Sequence, residues 1–365
     1  MNNLVVFNIC IISLDLCILV SLTTVSELGI SSCSYLGEME EDGKKCHEDV
    51  VKLEKLPKQC SSFVYDGVMC KEEYIIEIKD TTFGLERLGS LVEFEGRSHP
   101  VFLFFSHGDY DQWYSVLYEG DFKLVAQNVQ NFIRDYPVKG LILHGTVQPT
   151  PVDKFDIYFE KFTAYVKAIK EMNPNLEIGL HWNAKTFIQS AEGSDTAYNM
   201  DFSRINLIMD FYLIGFSYFN ECSDDLLRSG ITPMDSANPD VMTLNRFATA
   251  LENSTIAKDK MYFDFSINPI PKNDVKHKFN PCEISYNEYC ENEDDKRSIW
   301  CADNTGTLNE KGTFTKKHAR GFVGGYIDLV DRDDKCKCGK YSTFEMMLNG
   351  FNGGSPMKCE ALEGV

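Results

Sequence analysis

The stretch from Tyr136 to Thr146, Tyr-Pro-Val-Lys-Gly-Leu-Ile-Leu-His-Gly-Thr, constrains this chain more than any other. Its apolar run, Gly140 to Leu143, is short, does not alternate, and opens into a loop. Such a run reads as a strand buried on both faces, which is how strands of parallel sheets are built. Parallel neighbours need crossovers of a dozen or more residues, usually helical. Helical patterns stand on both sides. Upstream, Leu124, Val125, Val129, Phe132 and Ile133 recur at spacings of three and four and predict a helix over 124–136; 155–172 repeats the pattern downstream. Two further apolar runs flank these, Pro100 to His107 and Leu176 to Trp182. Strands alternating with helices imply an α/β sheet covered by helices.

The chain has 365 residues, 43% of them apolar, enough to bury a full core, and α/β barrels of this length fold as one domain. A formal charge of −19 argues against nucleic acid or an anionic membrane surface as partner. Thirteen cysteines are too many for a reduced cytosolic protein. The N-terminus agrees: Leu4 to Leu22 is hydrophobic apart from Asp15 and is followed by Thr24-Val25-Ser26, a small-x-small cleavage site. A retained anchor needs about 20 uninterrupted apolar residues, and Asp15 counts against one. Residues 1–26 are therefore expected to be a signal peptide, with 27–365 secreted as one barrel domain free of the membrane. Loss of Cys10 and Cys17 leaves an odd number of cysteines, so one thiol stays unpaired. Asn253-Ser-Thr255 is a sequon, so Asn253 is expected to be glycosylated.

Residues 139–146 also resemble the signature strand of the glycoside hydrolase family 18 chitinases, Asp-Gly-x-Asp-x-Asp-x-Glu. Gly140 is kept, but Lys139, Ile142 and His144 stand at the three Asp positions and Thr146 at the catalytic Glu. Other segments are similar to that family in the correct order. Cys33-Ser-Tyr-Leu-Gly37 resembles its first strand, Cys60-Ser-Ser-Phe-Val-Tyr65 the second, and Pro100 to His107 the third. Asp210 to Asn220 resembles the sixth strand, with Ser217 or Tyr218 at the family's Tyr and Tyr218 or Phe219 at its Asp. Lys260 to Ile267 fits the seventh, and Gly321 to Asp328 the eighth, where Tyr326 replaces the cleft-floor Trp. The resemblance implies an α/β fold, a (β/α)8 TIM barrel with a short insertion between strands seven and eight around Glu283 to Cys290. It implies a Cys33–Cys60 disulfide and one from Cys290 to Cys336 or Cys338; Cys46 and Cys70 are then natural partners. The segment 72–79 reads as a hairpin arm after strand two.

The family's chemistry needs the Glu as general acid and the neighbouring Asp to orient the substrate N-acetyl group. Thr delivers no proton at neutral pH, and Ile holds no amide. The expectation is a non-catalytic, monomeric, secreted chitinase-like protein without cofactor. It would bind chitin or another N-acetylglucosamine oligomer, or signal like a growth factor through a cell-surface protein. The alternatives are an active glycosidase using Asp109, Asp210 or Asp328, and an interaction barrel with no sugar groove.

Sites in such barrels lie at the C-terminal ends of the strands. His107, His144 and His181 end strands three, four and five at a constant spacing of 37. They are expected to converge on the rim as a hydrogen-bonded polar layer; three imidazoles also suit zinc, but no local carboxylate is offered to orient them, so no metal is assigned. Tyr110, Trp113, Trp182, Tyr218 and Tyr326, with His144, are the candidate sugar-binding residues, because sugar rings present an apolar face to aromatic side chains. The acidic runs Glu291–Asp295 and Asp331–Asp334 read as solvated loops.

Overall fold

Eight parallel strands close on themselves: β1 (Ser31–Tyr35), β2 (Phe63–Cys70), β3 (Val101–Ser106), β4 (Gly140–Leu143), β5 (Glu177–Asn183), β6 (Phe211–Gly215), β7 (Met261–Ser266) and β8 (Gly321–Gly325). Each pairs with the next in sequence, and β8 returns to β1, so the barrel leaves no open edge. The computed structural model describes residues 25–36, 40–41, 44–45, 51–70, 74–78, 84–93, 99–108, 110–146, 155–193, 201–276, 284–291 and 298–363. Residues 1–24 of the expected signal peptide, Cys46 and Asp109 lie outside the described residues, as does the side chain of Tyr110.

Alternation along each strand separates two cores. Val64, Phe102, Ile142, Phe211, Leu213, Tyr262 and Val323 point inward and fill the barrel, joined by Leu28. Val101, Leu103 and Phe105 of β3 face outward, into the layer beneath the helices. Gly179 is required by this packing, since a Cβ there would lie 2.2 Å from the Phe211 ring.

The covering helices are α1 (Gly84–Glu93), α2 (Tyr110–Glu119), α3 (Phe122–Asp135), α4 (Phe155–Met172), α5 (Ala184–Ala191), α6 (Leu244–Glu252), α7 (Thr305–His318) and α8 (Ser342–Phe351). Helix α3 starts two residues earlier than its apolar pattern because Asp121 caps it. The Asp121 carboxylate accepts from the Lys123 and Leu124 amides, two of the donors a helix start leaves unpaired. Ile76–Ile78 pairs antiparallel with the end of β2, the hairpin arm that 72–79 suggested.

Between β7 and α7 the chain makes a small outgrowth, in which Ile270–Pro271 pairs antiparallel with Trp300–Cys301. A disulfide from Cys222 to Cys301 ties it to the loop after β6. Cys290 takes Cys336 rather than Cys338, which bonds instead to Cys359. Spacing did not distinguish two cysteines one residue apart from each other; the loop holding them did. Cys33 is bonded to Cys60. Cys70 is a buried free thiol among the described residues, so the expected pairing of Cys46 with Cys70 does not form. Among the described cysteines, a non-reducing peptide map should yield the linkages 33–60, 222–301, 290–336 and 338–359. Recovery of a Cys290–Cys338 peptide would contradict this loop geometry.

Asp331 departs from the solvated reading. It is fully buried, and its carboxylate accepts from the backbone amides of Lys335 and Cys336, so it folds the loop that presents Cys336. Just before α7 lies a second internal charge. Lys311 is 1% exposed and places Nζ 2.5 Å from Oδ2 of Asp303, itself 5% exposed. Thr307 donates a further bond to that carboxylate at 2.8 Å, and the Tyr286 hydroxyl reaches the Asp303 carbonyl at 3.2 Å. Burial raises the Asp303 carboxyl and lowers the Lys311 ammonium, while each partner opposes the shift of the other.

Candidate functional site

Strand alternation decides what the barrel mouth contains. On β7, Tyr262, Asp264 and Ser266 point inward, while Met261, Phe263 and Phe265 pack outward. The deepest inward residue is aromatic and the two above it are polar. The same change of character occurs on β4, where Ile142 lies in the barrel core and His144 above it at the mouth. The result is a cavity of 310 Å³ at the C-terminal ends of the strands. Ser34, His144, His181, Asn183, Asp264, Ser266 and Asn268 supply its polar groups, and Phe104, Tyr218 and Tyr326 its rings.

Asp264 is 8% exposed and is the one carboxylate among the described lining residues. Sequence reading passed over it. The signal was present, since an Asp two residues before a Ser within Met-Tyr-Phe-Asp-Phe-Ser has the period of one strand face.

His144 and His181 meet, with ring centroids 4.9 Å apart, and Phe104 lies edge-on to them at 5.9 and 5.6 Å. Gly215 on the neighbouring strand makes room, for a Cβ there would lie 2.2 Å from Nε2 of His181. His107 does not join them. Phe105 pairs with Leu143, so Ser106 is level with His144; Leu143 pairs with Leu180, which puts His181 level with it. A one-residue offset turns a side chain to the other face. His107 accordingly points into the outer layer, with Nε2 2.9 Å from the Tyr165 hydroxyl and its ring 4.5 Å from Trp113. The expected layer of three histidines is a pair. Among the described residues no group of three His, Cys, Asp or Glu could hold a metal ion.

Burial lowers His107 to about 3, and burial followed by the neighbouring His144 lowers His181 to about 3. In the unfolded chain both titrate near 6.5. The folded state therefore binds fewer protons between these limits, and stability is lost as pH falls from about 6.5 toward 3. Two pH units below the unfolded value, each ring should cost roughly 2–3 kcal/mol. Denaturant melts at pH 7 and pH 4.5 will measure this, with an NMR titration to assign it. A His181 ring that titrates near 6.5 would refute the buried pair.

Three of the aromatic candidates fall elsewhere or outside view. Trp113 is 1% exposed and donates from Nε1 to the His144 carbonyl at 3.0 Å, so it braces the loop after β4 from behind. Trp182 is outward on β5, packed 5.3 Å from Phe202. Tyr110 lies in α2, and its side chain is outside the described residues. Tyr218 and Tyr326 do line the mouth, and of the two registers left open after β6, both Ser217 and Tyr218 reach it.

The signature positions are dispersed. Lys139 sits at the opposite end of the barrel, 2.7 Å from Glu27 and 3.9 Å from Glu177. Thr146 is buried outside the cavity lining, and its carbonyl accepts from Tyr158. Asp210 is not placed for chemistry at the mouth: it pairs with Lys170 at 2.7 Å and accepts from the Ile178 amide, at the start of the strands. Asp328 is buried and accepts from the Leu36 amide at 3.0 Å. Asn253 is exposed at the C-terminal end of α6.

No family profile matches the sequence, and no curated protein sequence matches it. Solved structures do. The Group IV chitinase of Ostrinia furnacalis superposes with a TM-score of 0.65 at 13% identity, covering 89% of this chain and 100% of that one. Its complex with allosamidin gives 0.63 at 13% identity, over 84% and 94%. A glycoside hydrolase family 18 N-acetylglucosaminidase from Paenibacillus barengoltzii gives 0.54 at 13% identity, over 82% and 95%. At such identities the likeness is one of fold: this chain has a chitinase-like (β/α)8 barrel.

Proposed function

We propose that this chain is a secreted chitinase-like protein that binds an amino-sugar oligomer of the chitin type at the barrel mouth and does not cleave it by the family's mechanism. One observation carries the reading. The mouth is an open cavity of 310 Å³ whose rings, Tyr218 and Tyr326, stand around a floor of hydroxyl, amide and imidazole groups. That combination suits a pyranose, which offers a flat C–H face for stacking and a belt of hydroxyls for hydrogen bonds. The fold's known carbohydrate enzymes support the same substrate class, since one of the matching structures holds allosamidin. Against cleavage stands the chemistry of the lining. The family's mechanism needs a Glu general acid at the end of β4 with an Asp beside it for the N-acetyl group, and the described lining offers one carboxylate, Asp264 on β7.

Isolation of the mature chain from the secretory route, with the four described disulfides and a glycan on Asn253, is part of the proposal. Calorimetry with chitin-type tetramers tests the binding half. Saturable binding that Tyr326→Ala weakens supports it. Absence of heat with every amino-sugar oligomer would leave a barrel used for protein contact or as a scaffold.

A further inference from the structure

A mouth that binds a sugar chain takes either an end of it or a stretch from its middle. What stands beside β6 and β7 bears on which. The loop after β6, residues 216–243, and the outgrowth after β7 share one apolar cluster. Cys222, Leu226, Val241 and Cys301 lie inside it, with Ile231 from the loop and Ile270 from the outgrowth. Ile231 and Ile270 also line the cavity. The cluster is therefore a wall, apolar within, whose inner face belongs to the site.

This wall is fastened rather than hinged. The Cys222–Cys301 disulfide crosses it. Beside that bond Ser229 pairs with Asp303, the Ala302 amide donates to the Leu227 carbonyl at 3.4 Å, and Nδ2 of Asn304 donates to the Arg228 carbonyl at 2.8 Å. Within the loop, Nδ2 of Asn220 donates to the carbonyls of Ile231 and Met242, and its Oδ1 accepts from the Met242 amide, all at 2.8 Å. Gly230 permits the close approach, for its φ is +61° and a Cβ there would lie 2.5 Å from Oδ2 of Asp303. Asp303 in turn is the carboxylate held by the buried Lys311. Covalent and backbone bonds from both sides raise the cost of local opening, so the wall stands in place before a ligand arrives.

Size agrees with closure. Pockets for small ligands span about 300–1,000 Å³, and the 310 Å³ of this mouth lies at the lower limit. That is room for roughly one or two pyranose units and not for a long run of them.

Resting on the sugar-binding reading, we infer that the mouth is a dead-end pocket for the terminal units of an amino-sugar chain, stopped by the wall that Ile231 and Ile270 face. The rest of the chain leaves through the mouth into solvent. The ligands are then short oligomers and chain ends, and the reaction class that supplies them is hydrolysis of the glycosidic bond in a longer polymer.

The experiment is a length series, with N-acetylglucosamine dimer, tetramer and hexamer titrated by calorimetry into the full mature chain. A groove that runs through would gain about five- to tenfold for each added unit that stacks or hydrogen-bonds. The expected result is instead a plateau, with the three oligomers within about threefold of one another. A tetramer capped at both ends with bulky ethers should bind about tenfold more weakly or worse, because neither end then enters the pocket. Ile270→Trp, which narrows the closed side, should weaken the dimer by about tenfold or more. Affinity that climbs from dimer to hexamer overturns this inference and leaves the sugar site standing. A doubly capped tetramer that binds like the free one, or a folded Ile270→Trp protein that binds the dimer unchanged, overturns it as well. The length series on the unaltered chain decides the matter whether or not that variant folds. Binding of no oligomer at any length overturns both readings.

Discussion

N-acetylglucosamine oligomers incubated with the mature chain are expected to stay intact, with release from a fluorogenic substrate indistinguishable from buffer. A positioned general acid contributes on the order of 10²–10⁴ in rate, and the residue aligned with the family's acid is Thr146, which is buried away from the mouth. Thr146→Glu alone should therefore restore nothing. Adding Ile142→Asp and His144→Asp completes the family's carboxylates on paper, but the first would bury a charge in the apolar barrel core that Ile142 shares with Phe102 and Phe211. That triple variant is expected to unfold rather than to cleave, because a buried carboxylate without a partner costs several kcal/mol. Turnover by the unaltered chain that Asp264→Asn abolishes would sink the non-catalytic reading and point to a mechanism with a single carboxylate.

Lys311→Met is the substitution expected to damage stability most among those that touch no candidate site. It leaves the Asp303 carboxylate buried at 5% exposure with Thr307 as its remaining side-chain donor. Removing one partner of such a pair costs about 3–5 kcal/mol. For a chain of this size that is a fall in Tm of roughly 4–7 °C. The double variant Asp303→Asn, Lys311→Met should recover most of the loss, since it removes both charges together. Differential scanning calorimetry on the three proteins decides it. A Lys311→Met melt within about 2 °C of the unaltered chain would mean that water or another group satisfies Asp303.

Much of the barrel was legible locally. The Gly140–Leu143 run, the helices on either side of it and the runs at 100–107 and 176–182 are set by short-range pattern, and all appear in place. A strand buried on both faces has to be apolar throughout, and a covering helix has to be apolar on one stripe, so composition and period reveal both. What faces the mouth was not legible in that way. His107 and His144 stand 37 residues apart, as do His144 and His181, yet only the second pair is level across the sheet. Register between strands depends on how each crossover helix packs, which spacing does not encode, and a slip of one residue exchanges inside for outside.

Trp182 went astray for the same reason, ending on the helix side of β5, while Trp113 lies in α2 and packs against the barrel from outside. Asp264 shows the converse, a polar residue whose period-two position in β7 was visible but whose company was not, because Tyr218, Tyr326 and the histidine pair come from other strands. The sequence by itself determined that strands and helices alternate, that the chain is acidic and cysteine-rich, and that the signature strand carries no carboxylate. Only the tertiary structure decided which side chains share the mouth, because barrel closure, not chain order, brings distant strand ends within reach of one ligand.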